Sequence, residues 1–139
     1  MSDPAHRRPD GLDDLTVAAV GKLSEALETT ERARGHLYAM HQLTGKADFM
    51  LDDAVRMFRE AGHHDLAERI ERELIGRNVI RGRWTYQIVE DYDDGYYALF
   101  QELERTARER LVGGRRHLYE AELKWRRRTA GEPGHELGP

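Results

Sequence analysis

The stretch Trp84–Leu111, WTYQIVEDYDDGYYALFQELERTARERL, decides the fold. Trp84, Ile88, Tyr92, Tyr96, Leu99, Leu103, Ala107 and Leu111 recur there at spacings of four and three, which places them on one face of a helix. The spacing predicts a helix of about 28 residues, some 42 Å long at 1.5 Å per residue. Aromatic and β-branched residues crowd Trp84–Glu90 as they do in strands, but alternation fails at once in the EDYDD that follows.

Two features are costly for a helix that only packs. Glu90, Asp91, Asp93 and Asp94 set four carboxylates within five residues, and a mid-helix glycine such as Gly95 costs about 1 kcal/mol against alanine. Either the acids face water and Gly95 lets another helix come close, or Glu90 and Asp94, four apart and so on one face, serve a site walled by Tyr92, Tyr96 and Tyr97.

Working outward, the prolines are Pro4, Pro9, Pro133 and Pro139, so the span from Asp10 to Glu132 has none. Proline is the strongest helix breaker, and its absence over apolar residues at helical spacing predicts an all-α protein. Asp13 is placed to cap a first helix whose stripe is Leu15, Ala19, Leu23, Ala26, Thr30, Ala33, Leu37, Met40 and Thr44, with Gly45 as its stop. That helix, about 46 Å long, matches the Trp84 helix.

Asp48 is placed to open a second helix ending at Gly62, and Asp65 a third carrying Leu66, Ile70 and Leu74. Gly76 to Arg83 reads as a break, Gly113 and Gly114 end the fourth helix, and Arg115–Arg128 makes a short basic fifth. The expected fold is an up-down bundle of four main helices, two long and two short, with a short basic C-terminal helix. The expected organisation is a disordered tail over residues 1–12, one helical domain over 13–128 and a disordered tail over 129–139. The main apolar stripes precede residue 115, so the bundle is expected not to need the basic segment. Gly35 and the charged positions interrupt any long coiled-coil heptad.

With 139 residues and 39% hydrophobic composition the chain has enough material for one core. No cysteine means no disulfide, no thiolate and no Cys-type zinc site. The N-terminal MSDPAHRRPDG has no apolar core of a signal peptide and no apolar run approaches a membrane span, so a cytoplasmic protein is expected. The net charge of −4 is uneven, because Arg115–Arg128 holds six basic and two acidic residues. The basic run could meet phosphates, but it is short and the body is acidic, so a nucleic-acid partner is not expected.

If the first and fourth helices run antiparallel, Gly35 falls near the level of Gly95. Glu31, His36, Tyr38 and His41 would then approach Glu90, Tyr92, Asp94 and Tyr96, the only place where histidines, carboxylates and aromatics from distant sequence converge. A histidine beside a carboxylate is a general base or metal ligand in some proteins and a structural pair in more of them. A ferritin-like di-iron bundle needs two inward Glu-x-x-His motifs; Glu60-Ala61-Gly62-His63 is one poor candidate, at a helix end, and the second is missing. Phosphate-binding, dinucleotide, zinc-protease and nucleophile-elbow motifs are also missing.

The expected function is therefore a non-enzymatic interaction or small-ligand-binding module, with an unknown protein partner or self-association, no membrane, no cofactor and no metal. The alternative is a ferritin-like metal-binding or acid–base enzyme using His36 or His41 with Glu90 or Asp94, and a third reading is a nucleic-acid-associated protein acting through the basic C-terminal segment.

Overall fold

A computed structural model describes residues 4–138. Those residues are helical, with no strand among them and one isolated bridge between Ile80 and Arg83. The helices are α1 (Asp14–Glu60), α2 (His64–Glu73), α3 (Thr85–Tyr92), α4 (Ala98–Val112) and α5 (Leu118–Arg127), with a π-helical turn at Asp93–Tyr97 between α3 and α4. Among the described residues none of these helices is long and apolar enough to cross a membrane.

Asp13 caps α1 as its position indicates, its Oδ1 accepting the Thr16 N–H at 2.6 Å. From there α1 runs unbroken for 47 residues, so the first and second helices expected from the sequence are one. Gly45 keeps an ordinary helical φ, and Asp48, instead of capping a new helix, accepts the Gly76 N–H at 2.9 Å. The cost of one glycine, about 1 kcal/mol, is smaller than that of interrupting a buried face. Gly62 does end the helix: its φ is +89°, and the His63 N–H reaches the Phe58 carbonyl at 2.8 Å across it, a Schellman closure.

The expected break between the third and fourth helices lies at residues 74–84, where Gly76 and Gly82 both have φ of +75°. Gly113 and Gly114, again at positive φ, close α4. α3, the wide DDGYY turn and α4 follow one another without a gap, so the Trp84 helix runs from Thr85 to Val112 with one π turn inside it. Only Thr85, Val89, Tyr97, Glu104 and Val112 are buried along it, while Trp84, Tyr96, Leu99, Leu103 and Leu111 are exposed. The expected stripe is largely the outer face.

Contacts gather the chain into two compact units, one comprising the residues before Glu31 and after Tyr96, the other Glu31–Tyr96. The first has a core of Val17, Val20, Val112 and Leu118, with Leu12 against it. Leu118 belongs to α5, only 5% exposed, so the basic segment is built into this core and is not the dispensable extension expected. Two residues in the stretches read as tails also have partners: Arg8 bonds Glu122 twice, at 2.7 and 2.9 Å, and Arg115 donates to the Arg7 carbonyl.

In the second unit Val55, Ala67 and Val89 are buried, each valine contributing about 1.5–3 kcal/mol relative to exposure. Cross-helix pairs there show the chain direction. Asp48 meets Gly76 and Arg59 meets Glu71, while Arg34 meets Asp93 and His41 meets Thr85. Rising numbers in α1 meet falling numbers opposite, so α2 and α3 both run antiparallel to it.

Candidate functional site

The inward residues of α1 follow one register. Val17, Val20, Ser24 and Leu27 line it in the first unit; Arg34, Leu37, His41, Thr44, Asp48, Leu51, Val55 and Phe58 line it in the second, all buried or half-buried. Steps of three and four alternate along both runs, the spacing of a heptad seam. Ser24, Arg34, His41 and Asp48 are polar positions within it, and each has a partner opposite.

Arg34 grips Asp93 with two bonds, Nε to Oδ1 at 2.8 Å and Nη2 to Oδ2 at 3.3 Å. Both side chains are about three-quarters shielded. Glu31 accepts Arg34 Nη1 at 3.0 Å, the Tyr38 hydroxyl donates to Asp93 Oδ2 at 3.4 Å, and the guanidinium lies 5.9 Å from the Tyr38 ring centre. The Arg34 hydrogen bonds hold the Asp93 carboxyl below its ordinary pKa, more than partial burial raises it. Asp93 opens the wide turn, and this fork fastens that turn to α1.

Seven residues on, His41 Nδ1 lies 2.7 Å from Thr85 Oγ1, and its ring meets Tyr86 edge-on at 5.3 Å. Trp84 stacks on Tyr86 at 6.0 Å. In the first unit, Glu104 is 9% exposed on α4. Its Oε1 accepts the Ser24 hydroxyl at 3.0 Å and Arg108 Nε at 3.2 Å. Arg108 also donates to the Gly114 carbonyl at 3.2 Å, tying the end of α4 to its turn. Ser24, Glu104 and Arg108 also line a cavity of about 240 Å³, together with Val17, Val20, Leu27, Val112 and Leu118.

Of the eight residues expected to form a pocket, Glu31 and Tyr38 gather at Arg34–Asp93, while His41 turns to Thr85. His36, Glu90 and Asp94 are exposed. Tyr92 and Tyr96 touch each other at 5.7 Å, with Tyr96 60% exposed. The expected approach of backbones at Gly35 and Gly95 is absent, since a Cβ at either would meet nothing within 4 Å. The close glycine is Gly21 instead, where a Cβ would stand 2.8 Å from that of Tyr119. Among the described residues no group of three or more His, Asp or Glu is placed to hold a metal ion. Sequence reasoning passed over Ser24, Arg34, Thr85, Asp93 and Glu104; the available signal was a polar residue in heptad phase, most clearly Arg34, His41 and Asp48 at intervals of seven.

With this geometry in view, comparison with known proteins adds no name: no family model, curated protein or solved structure matches the chain.

Proposed function

We propose that the chain is a cytoplasmic, non-enzymatic interaction module: helices in an up-down arrangement, holding register by polar pairs and binding other protein surfaces through open apolar helix faces. The observation that carries this reading is where the apolar side chains are. Among the described residues nineteen large hydrophobic side chains stand exposed, including Leu43, Met50, Met57, Leu99, Leu103 and Trp125, against eight buried hydrophobic positions. Repeated apolar faces of this kind are surfaces that partners cover.

The polar groups favour structure over chemistry. Arg34, Asp93, Glu104 and Arg108 are engaged in ion pairs. Neither His36 nor His41 has a hydrogen bond to Glu90 or Asp94, the pairs an acid–base mechanism would use.

The test measures apolar-dye binding and sedimentation together, from low micromolar to submillimolar protein. Open docking faces should give either dye binding by the monomer or association that removes it. A monomer that binds no dye throughout would overturn the reading.

A further inference from the structure

We infer that a second copy of this chain docks antiparallel on the outer face of α1 between Leu43 and Ala61. The inference rests on the interaction-module reading and names its partner and surface.

Leu43, Ala47, Met50, Ala54, Met57 and Ala61 follow steps of four, three, four, three and four, a complete heptad seam. Ala61 lies just past α1, but its N–H still bonds the Met57 carbonyl at 3.0 Å. Leu43, Met50 and Met57 are 63%, 61% and 60% exposed. Ala47 and Ala61 are exposed too, and Ala54 is half-buried. At 100° per residue this row is centred about 140° around the helix from the inner row of His41, Asp48 and Val55. It is a second seam, whose long side chains stand mostly exposed.

The row is complementary to itself. A two-fold axis at the level of residue 52 sets Leu43 against Ala61 of the second copy, Ala47 against Met57, and Met50 against Ala54. Every layer pairs one long side chain with one methyl, so layer volumes are even and the backbones approach closely. A parallel pairing would stack long on long and methyl on methyl, leaving gaps. Such an isologous contact closes as a dimer.

Charge fits the same direction. Lys46, Asp53 and Glu60 each precede an alanine of the row along its outer edge. Antiparallel pairing brings Lys46 beside Glu60 of the second copy, twice by symmetry, whereas in a parallel pairing this edge would face Leu51 and Phe58 of the second copy and its charges would find no opposite partner. Asp53 meets its counterpart near the axis, and Arg56, 3.6 Å from it and 3.2 Å from Glu60, offsets that repulsion. The α2 helices, packed on the inner seams, would flank the pair, giving a four-helix layer.

Sedimentation equilibrium on the full chain tests this. The wild type should reversibly form a dimer, and Met50→Lys should weaken it at least tenfold without changing the circular dichroism. Lys46→Glu should weaken it as well, and adding Glu60→Lys should restore it. Because the chain has no cysteine, Ala47→Cys with Met57→Cys should cross-link copies on oxidation, while Ala47→Cys alone should not. A dye-binding monomer at submillimolar concentration overturns the inference and leaves the interaction-module reading standing. So does a dimer indifferent to Met50→Lys and abolished by Leu103→Lys. A monomer without dye binding removes both.

Discussion

Gly21→Ala should destabilise the protein, although alanine is the better helix former. The substitution gains about 1 kcal/mol of helix propensity. The added Cβ would lie 2.8 Å from Tyr119 Cβ and 3.2 Å from its Cγ. Tyr119 Cβ is bonded directly to the backbone of α5, so a rotamer change cannot relieve the contact and α5 itself must move. The next residue, Leu118, is 5% exposed in the cluster with Val17, Val20 and Val112, and displacing it opens that core. Overpacking of this kind costs about 1–3 kcal/mol, and displacement of a core residue puts Gly21 in the upper half of that range.

The net loss is then about 1–2 kcal/mol, or a Tm drop of roughly 3–8 °C for a chain of this size. Urea unfolding followed by circular dichroism, with calorimetry beside it, reads both quantities. Gly35→Ala is the control: nothing lies within 4 Å of its added carbon, so it should stabilise by up to about 1 kcal/mol. A Gly21→Ala protein as stable as Gly35→Ala would refute the seating of α5 on α1.

Two further outcomes follow from the polar seam. The Asp93 carboxyl is held below its ordinary pKa chiefly by Arg34, so its contribution to stability is present above the unfolded value of about 3.9 and fades as pH falls through the native one. Asp93→Asn should be less stable than wild type at neutral pH, with the gap closing below about pH 4; a gap constant across an acid urea series would contradict this. Glu104→Ala leaves Arg108, whose side chain is 14% exposed, without its counter-ion and should cost on the order of 3 kcal/mol. A loss under about 1 kcal/mol in urea titration would mean that water replaces the carboxylate.

Much of the helical layout was legible because its signals are local. The proline-free span, the cap at Asp13, the stops at Gly62 and Gly113 and the break after Gly76 all depend on neighbouring backbone. Gly45 and Asp48 misled because local stop and start signals lost to a seam that continues through them. The inner face of Trp84–Leu111 was misread for another reason: Thr85, Val89, Tyr97, Glu104 and Val112 each stand one residue after an expected position, and because Thr85 and Glu104 are polar, the more apolar neighbouring stripe is the one that apolar spacing picks out. At the candidate site the visible signals in the sequence are apolar stripes and clustered acids. Arg34 and Glu104 fill inward positions with charge and so interrupt those stripes, and Asp93 stands among solvent-facing acidic neighbours.

The polar positions of α1 bear on how this chain can change by descent. Leucine, valine and phenylalanine along the seam have many acceptable substitutes, since volume is nearly all that they must preserve. Arg34 and Asp93 have few, because losing either leaves a shielded charge without its partner. Reversal of both is the change that keeps the fork, and Ser24 with Glu104 and His41 with Thr85 are bound in the same way. Divergence should therefore proceed quickly between these pairs and in matched steps at them, so relatives of this chain would be recognised by three linked pairs spaced along a helix whose apolar residues had all been exchanged.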